Sequence, residues 1–419
     1  MSLALSSRDR ELLDGGRGAG TAFAMRLVVR AAEVTGADRL IDVSAAHVDS
    51  CLYHGEASLD FIDRLSEGGT RVSVPTTLNV GAVDLLHPEL YRGDPHVAER
   101  GRLLMDRYRS LGARSTFTCA PYQLAEARPR LGEQVAWGES NAIAFCNSVL
   151  GARTNRYGDF LDVAAAITGR VPEAGLHLAD ARRATLVLRL AEDVPQPLRD
   201  DDSLFGVLGI VLGRRAGSAV AAIEGLPAGL SEDRLKALAA AAASSGAVAM
   251  FHVVGSTPEA DLRVESPAVE EIDMAELRAA RAELTSSAGE ELEAISLGTP
   301  HASLAELEEY ARLLDGTRVH DGVELLVSTG RDVLAAAEAR GLAPRLREAG
   351  AELLTDTCSY IAPILRSRAG PVMTSAAKWA YYAPGNIGVR VVFGSAAECI
   401  ASAVAGRVVV NDEPWGGVT

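Results

Sequence analysis

The chain has 419 residues and a formal net charge of −15, and 48% of its residues are hydrophobic. This length suits roughly two or three domains with sizeable cores, and the acidic balance argues against nucleic acid or an anionic membrane as a partner. No apolar run reaches the about 20 residues that a membrane-spanning helix needs, and the start lacks a signal-peptide pattern. With five widely spaced cysteines and no disulfide pattern, we expect a cytoplasmic protein.

Short β-branched runs alternate with amphipathic segments along the chain. This pattern predicts strands at residues 39–43, 72–75, 185–190, 219–223 and 248–254, around Ile295 and Leu325, and at 407–410. It predicts helices at residues 96–111, 140–150, 160–167, 232–245, 304–314, 332–340, 342–349 and 396–405. Strands that alternate with helices indicate an α/β fold built from mostly parallel sheets.

Two segments rich in proline or charge interrupt this alternation, at residues 194–202 and 255–272. Such segments are typical of linkers between domains. They predict a first α/β unit over residues 1–195, a smaller middle unit over 196–290 and a last unit over 291–419.

Several polar clusters stand where predicted strands end, which is where α/β enzymes place their chemistry. Cys119 and Cys358 are two thiols in such positions. A thiolate there can bind a metal or attack a substrate. The residues alone leave both roles open, together with simple core filling.

Other clusters offer hydrogen-bonding side chains at the same kind of position. His47 and Asp49 follow one predicted strand, and Thr76 ends another. Thr299 and His301 lie in a strand-to-helix loop. Turn formation explains each of them as well as binding does, although this loop is a favourable place for a functional histidine.

Charged and amide side chains mark further candidates. Glu139 begins a predicted helix, where capping is the structural alternative to catalysis. Arg153 and Asn155 share the loop after that helix and suit a carboxylate or phosphate, with surface ion pairs as the alternative. Lys378 suits an anion equally, or it is a solvated lysine. Cys399 lies inside a predicted helix, where a buried, inert thiol is expected.

Nine segments between residues 40 and 407 together resemble a known family. They read AHVDSCLYHGEASLDF, VPTTLNVGAVDLLHP, TCAPYQ, WGESNAIAFCNSVLGARTNR, TGRVPEAGLH, GTPHASLAEL, DTCSY, MTSAAKWAYYAPGNIG and FGSAAECIASAVAGR. In content and order they resemble the large, catalytic subunit of aconitase X, a divergent branch of the aconitase superfamily of iron–sulfur dehydratases. The resemblance implies several α/β units with mostly parallel sheets around a central cleft.

The resemblance also implies a hydro-lyase that removes water from a small hydroxy acid. One type in the family, which is bacterial, dehydrates cis-3-hydroxy-L-proline to Δ1-pyrroline-2-carboxylate, and an archaeal type dehydrates mevalonate 5-phosphate. The archaeal pattern has a cysteine where this chain has Thr299, so the bacterial type is favoured. A cluster-free binding or regulatory subunit is the alternative from a different functional class.

Transferred residue by residue, the resemblance implies that Cys119, Cys358 and Cys399 bind iron. Because the thiolate expected at Thr299 is absent, it favours a 2Fe–2S cluster over a 4Fe–4S cluster, with mononuclear iron as the alternative. The iron would act as a Lewis acid on the hydroxyl that leaves.

The same transfer implies roles for the remaining candidates. The residues expected to act in catalysis are His301, Glu139 and Lys378. The residues expected to bind substrate are Arg153, Asn155, Thr299, His47 and Thr76. The family also uses a small swivelling domain, for which the chain offers no segment before residue 40 or after residue 407, so we expect a separate small subunit as the partner.

Overall fold

A computed structural model describes residues 3–416 of the chain. The helices are α1 (Ser7–Leu13), α2 (Ala19–Thr35), α3 (Glu56–Leu65), α4 (Pro95–Ser110), α5 (Ser140–Ser148), α6 (Leu161–Thr168), α7 (Gln196–Arg199), α8 (Asp202–Ala216), α9 (Glu232–Ser245), α10 (Met274–Glu283), α11 (Leu304–Leu313), α12 (Arg331–Ala339), α13 (Leu342–Glu348), α14 (Ala377–Ile387) and α15 (Ala396–Ala405). None of these helices is both long enough and apolar enough to cross a bilayer.

The strands are β1 (Leu40–Asp42), β2 (Ala46–Val48), β3 (Thr76–Leu78), β4 (Ala136–Trp137), β5 (Arg170–Pro172), β6 (Ala184–Leu190), β7 (Ala221–Glu224), β8 (Phe251–Val253), β9 (Arg263–Ile272), β10 (Ala294–Ala302), β11 (Glu324–Thr329), β12 (Ala351–Leu354), β13 (Val372–Thr374) and β14 (Val391–Phe393). Within residues 3–416, they form a first sheet in the order β3-β2-β4, a second in the order β8-β7-β6-β9, and a third in the order β12-β11-β10-β13-β14.

Every pairing in these three sheets is parallel, and a small antiparallel pair, β1 with β5, stands apart. The predicted α/β fold with mostly parallel sheets is therefore confirmed. All residues of β10 and β11 are buried. Strands covered on both faces read as nearly continuous apolar runs, which is why these two strands are clear in the sequence.

Helix boundaries follow local capping signals. Ser303 and Glu306 form a capping box at the start of α11, and Ser395 and Glu398 form another at the start of α15. Each box satisfies two backbone N–H groups that the first helical turn leaves without partners. These signals place the predicted helices at 304–314 and 396–405 within one residue of the observed bounds.

Three predicted segments differ from the structure. Residues 72–75 do not form the predicted strand, because β3 starts only after Pro75, which has no N–H to donate to a ladder. Residues 407–410 are irregular. The supposed linker at 255–272 contains β9, an edge strand of the second sheet. Its exposed, charged positions resemble a linker because one side of an edge strand faces solvent.

The predicted boundary at residue 195 separates β6 from its neighbours. β6 pairs with β7 on one side and with β9 on the other. The second sheet therefore begins before that boundary, at Ala184. The proline-rich segment that suggested the boundary leads into α7 and α8.

Helices α8 and α9 pack closely where α8 presents Gly209 to α9. A Cβ placed on Gly209 would lie 2.6 Å from the Cβ of Ala241 and 2.6 Å from the carbonyl oxygen of Leu238. No real Cβ tolerates such an approach to backbone, so glycine is required there by contact rather than by conformation.

We expect Gly209→Ala to destabilise the fold by about 1–3 kcal/mol, because α8 and α9 must move apart. Urea unfolding followed by circular dichroism measures this loss. Gly385→Ala is the matched control, since Gly385 also lies in a helix but has nothing within 4 Å of an added Cβ. The control should be neutral or stabilising by about 0.5–1 kcal/mol, and equal stabilities for the two variants would contradict the packing argument.

Candidate active site

A cavity of about 540 Å³ is lined by residues that follow strands of the first and third sheets. Asp49, Asn79 and Glu139 come just after β2, β3 and β4. Tyr360 and Lys378 come after β12 and β13. Carboxyl ends of parallel strands are the usual place for binding in open α/β sheets, and here two sheets contribute to one cavity.

Cys119, His301 and Cys358 form a buried group beside this cavity, and Cys119 also lines it. Their ligand atoms all lie within 4.8 Å of one another. The loop carrying Cys119 runs beside β3, because the Thr118 N–H donates to the carbonyl of Leu78 over 3.0 Å. Two sulfurs and an imidazole are a donor set for a transition metal such as iron or zinc.

Hydrogen bonds orient His301 within this group. Its Nε2 lies 3.2 Å from the carbonyl oxygen of Thr357, which can only accept, so Nε2 carries the proton. Its Nδ1 lies 3.0 Å from the Thr118 hydroxyl, and its backbone N–H donates to the Cys119 sulfur over 3.3 Å. A protonated Nε2 held by a carbonyl leaves Nδ1 as the acceptor of the ring, which the Thr118 hydroxyl occupies and a metal would take over.

Two hydroxyls lie within two residues of this group in the sequence, and they show whether a bound group fits. The hydroxyl oxygens of Thr299 and Thr357 are buried and have no hydrogen-bond partner within the described chain. Buried polar atoms rarely lack partners unless water, an ion or a ligand supplies one. The donor set and these orphaned hydroxyls both fit a metal centre at this position.

The two thiols differ in protonation. Burial raises the pKa of the Cys119 thiol, but a hydrogen bond from Cys358 and the nearby charges of His301 and Lys378 outweigh burial and bring it to about 6. The hydrogen bond to Cys119 and burial raise the pKa of Cys358 well above its ordinary value. The two sulfurs therefore share a proton, which a bound metal would replace.

Lys378 and Glu139 form a buried ion pair in the cavity wall, with Nζ 2.5 Å from Oε1. The other carboxylate oxygen accepts from the Ala142 N–H over 2.8 Å and caps α5. Burial lowers the pKa of Lys378, but Glu139, Tyr360 and Cys119 outweigh burial and raise it well above its ordinary value. Lys378 is therefore a fixed positive charge, and Glu139 serves capping and the cavity at once.

Asp49 and Asn79 were not predicted as substrate or metal residues, yet both line the cavity. The Asn79 amide donates to the Asp49 carboxylate, and the Asp49 N–H donates to Asp162 over 2.6 Å. Burial and the charges of Glu139 and Asp159 raise the pKa of Asp49 to about 8. Position directly after a strand is the signal that marked Asp49 as a candidate in the sequence, and it applies equally to Asn79.

Arg153 and Asn155, predicted to bind the substrate carboxylate, do not line the cavity. Arg153 donates to the carbonyl of His177 over 3.1 Å. Asn155 donates to the carbonyl of Ala174 over 2.9 Å and accepts from the N–H of Leu176 over 2.8 Å. Both side chains hold the turn at residues 174–177 through these hydrogen bonds. The structure therefore gives them a role in the fold and not at the cavity.

His47 and Thr76 are buried in strands of the first sheet, and neither lines the cavity. His47 Nδ1 lies 2.8 Å from the Thr77 hydroxyl, and Thr76 donates to the carbonyl of Val74 over 2.8 Å. Thr299 lies near the metal group in sequence but is also absent from the cavity wall. The structure thus separates these three residues from the substrate position predicted for them.

Cys399, predicted as an iron ligand, is not part of the buried metal group. It lies in α15 and belongs to the apolar cluster that contains Met373 and Val392 of the third sheet. Burial raises the pKa of its thiol well above the ordinary value. The structure therefore places Cys399 apart from the other two predicted ligands, because a matching motif does not show which face of a helix the cysteine occupies.

Arg331 joins the two loops that carry the cysteines. Its guanidinium binds both carboxylate oxygens of Asp356, at 2.5 and 2.6 Å, and lies 5.2 Å from the ring centroid of Phe117. Asp356 and Phe117 have φ of 61° and 38°, each two residues before a cysteine. Such backbone costs roughly 1–3 kcal/mol per residue, so it persists only where surrounding contacts hold it.

We expect Asp356→Asn to destabilise the fold by about 1–3 kcal/mol, because the buried ion pair is lost while asparagine still tolerates positive φ. Urea unfolding measures the change. Glu309→Gln is the matched control, since Glu309 forms a bidentate pair with Arg312 on the surface, where ion pairs contribute little. Equal losses in the two variants would show that Arg331 does not hold the loops.

Comparison with known proteins places these features in a family. Family models described as the aconitase X first, second and third domains match residues 2–180, 184–303 and 292–405. The chain is 41% identical to a cis-3-hydroxy-L-proline dehydratase of Pseudomonas aeruginosa, over 98% of this chain and 72% of that protein. It is 36% identical to a phosphomevalonate dehydratase large subunit of Methanosarcina mazei, over 96% of this chain and 98% of that protein.

A solved structure agrees with this placement. The crystal structure of aconitase X from Thermococcus kodakaraensis, in its holo-form, matches with a TM-score of 0.86 and 32% sequence identity. The match covers 96% of this chain and 100% of the other. The chain therefore belongs to the aconitase X family.

Proposed function

We propose that this protein is a hydro-lyase that dehydrates cis-3-hydroxy-L-proline to Δ1-pyrroline-2-carboxylate. The charge of the cavity carries the proposal. Among the described residues that line it, Lys378 is the one lysine or arginine, and it is already paired with Glu139. A phosphate group needs several cationic or N–H donors, whereas a zwitterionic amino acid brings its own positive charge. The relative that is named for this reaction, at 41% identity, supports the same substrate.

Loss of water from a 3-hydroxy acid needs an acceptor for the proton on the α-carbon and help for the departing hydroxyl. In this proposal Glu139 takes the α-proton, and Lys378 faces the substrate carboxylate. The ion pair between them keeps Lys378 charged and holds Glu139 against the cavity. His301 acts within the metal group rather than on substrate, because both its ring nitrogens face other groups there.

Cys119, Cys358 and His301 are the residues that would hold the metal. An iron–sulfur cluster or iron ion at this position supplies a Lewis acid for the hydroxyl. Two thiolates and one imidazole support a 2Fe–2S cluster or mononuclear iron over a 4Fe–4S cluster. Five free, buried cysteines also suit the reducing cytoplasm that we infer for the protein.

We also infer a small swivelling domain as partner, covering the open side of the cavity. The chain spans 72% of the Pseudomonas aeruginosa relative but 98% of a protein named a large subunit. Both observations are consistent with a further domain that completes the enzyme, whether on this chain or on another.

Cys119→Ser and Cys358→Ser should each abolish most iron binding, because each removes a ligand. Iron content and thiolate-to-iron absorption after anaerobic reconstitution measure this. Cys399→Ser is the matched control and should bind as much iron as the wild type. Iron retained in the first two variants, or lost equally in all three, would contradict the ligand assignment.

The assembled enzyme, with the small domain supplied, should release water from cis-3-hydroxy-L-proline and leave mevalonate 5-phosphate unchanged. Mass spectrometry of the products measures both reactions. Glu139→Gln should lower kcat by about 100-fold or more, because the proton acceptor is lost. Dehydration of mevalonate 5-phosphate alone would replace the proposed substrate by the phosphorylated hydroxy acid.

A further inference from the structure

Asp49 and Asn79 are neighbours because of strand register. β2 and β3 are parallel and pair Val48 with Leu78, so the residues that follow each strand come side by side. The backbone N–H of Asn79 donates to the carbonyl of Val48 over 2.8 Å. The Asn79 side-chain amide then donates to the Asp49 carboxylate. The pair is thus held by the sheet and by its own hydrogen bond.

One polar atom of this pair has no partner. Asn79 is only 3% exposed, and its side-chain oxygen finds no hydrogen-bond donor in the described chain. A buried amide oxygen without a donor is costly. Because Asn79 and Asp49 both line the cavity, a donor bound in the cavity is well placed to satisfy this oxygen.

The charge around Asp49 indicates which donor fits. Besides Asp49, the carboxylates of Glu139, Asp159 and Asp162 act on this position, and burial together with these charges raises the pKa of Asp49 to about 8. Lys378 is taken up by Glu139. A cation that donates hydrogen bonds would relieve this repulsion and fill the open acceptor together.

We propose that Asp49 and Asn79 form the subsite for the ring ammonium group of the substrate. A secondary ammonium has two N–H bonds, and the subsite offers two acceptors, the Asp49 carboxylate and the Asn79 amide oxygen. This inference rests on the proposed function, because cis-3-hydroxy-L-proline has this group and a phosphorylated hydroxy acid lacks it. The pair therefore determines specificity for a cyclic amino acid.

The test compares two ring acids that differ at one atom. L-Proline carries the ammonium, and (S)-tetrahydrofuran-2-carboxylate has an ether oxygen in its place. Calorimetry on the assembled enzyme measures both dissociation constants. The wild type should bind L-proline about tenfold or more tightly than the oxygen analogue, because a charge-assisted hydrogen bond is lost with the analogue.

Two variants then show which residues cause the preference for L-proline over the oxygen analogue. Asp49→Asn and Asn79→Leu should each reduce the ratio to about threefold or less. Asp60→Asn is the matched control, since it removes the same charge from an exposed position on α3, and it should keep the wild-type ratio. Partial unfolding lowers both affinities together, so the ratio reports on the subsite itself.

A wild type that binds the two acids equally overturns the subsite, and so does an unchanged ratio in both variants. The wild-type ratio keeps the inference falsifiable even where a variant does not fold. Turnover measurements distinguish failure of the subsite from failure of the proposed function. Dehydration of cis-3-hydroxy-L-proline with an unchanged ratio rejects only the subsite, whereas dehydration of mevalonate 5-phosphate alone rejects the proposed function and the subsite together.

Discussion

The cavity depends on two buried carboxylates that join the loops of the first and third sheets. Each carboxylate accepts hydrogen bonds from the loop that carries the other one. Asp356 accepts from the Leu85 N–H over 3.0 Å and binds Arg331. Asp84 accepts in return from the N–H and hydroxyl of Thr355, at 2.8 and 2.9 Å. Each loop supplies the donors that the other needs, so neither carboxylate is buried without partners. Ligand atoms from three distant segments can therefore lie within 4.8 Å of one another.

Electrostatics then connects the metal group to the substrate position. The cavity wall holds the carboxylates of Asp49 and Glu139 and the Cys119 sulfur, against the single ammonium of Lys378. Buried negative charge of this kind is stable only when cations offset it. A metal ion on the sulfurs and an ammonium on the proposed substrate would be two such cations, at different parts of one cavity. The same excess of negative charge disfavours a phosphate, which agrees with the substrate that we propose.

Local signals in the sequence predicted helices such as α11 and α15 and the central strands β10 and β11 of the third sheet, because caps and continuous apolar runs act over a few residues. Helices α2 and α8 were not predicted. The capping box of Ser303 and the buried run of β10 are examples. The family motifs pointed to the cysteines at 119 and 358. They could not distinguish the other residues that line the cavity from those that only support the fold. Arg153 holds a turn and Cys399 fills a core, while Asn79 reaches the cavity. Which strand ends share a cavity depends on how two sheets meet, and spacing along the chain does not encode that.

The metal group is organised before any metal binds. His301 touches both cysteine loops, since its N–H donates to the Cys119 sulfur and its Nε2 donates to the carbonyl of Thr357, the residue before Cys358. The Thr118 hydroxyl closes the arrangement against Nδ1. Because these hydrogen bonds hold His301 and both cysteine loops in place, metal binding orders little further chain, and preorganisation of this kind strengthens binding.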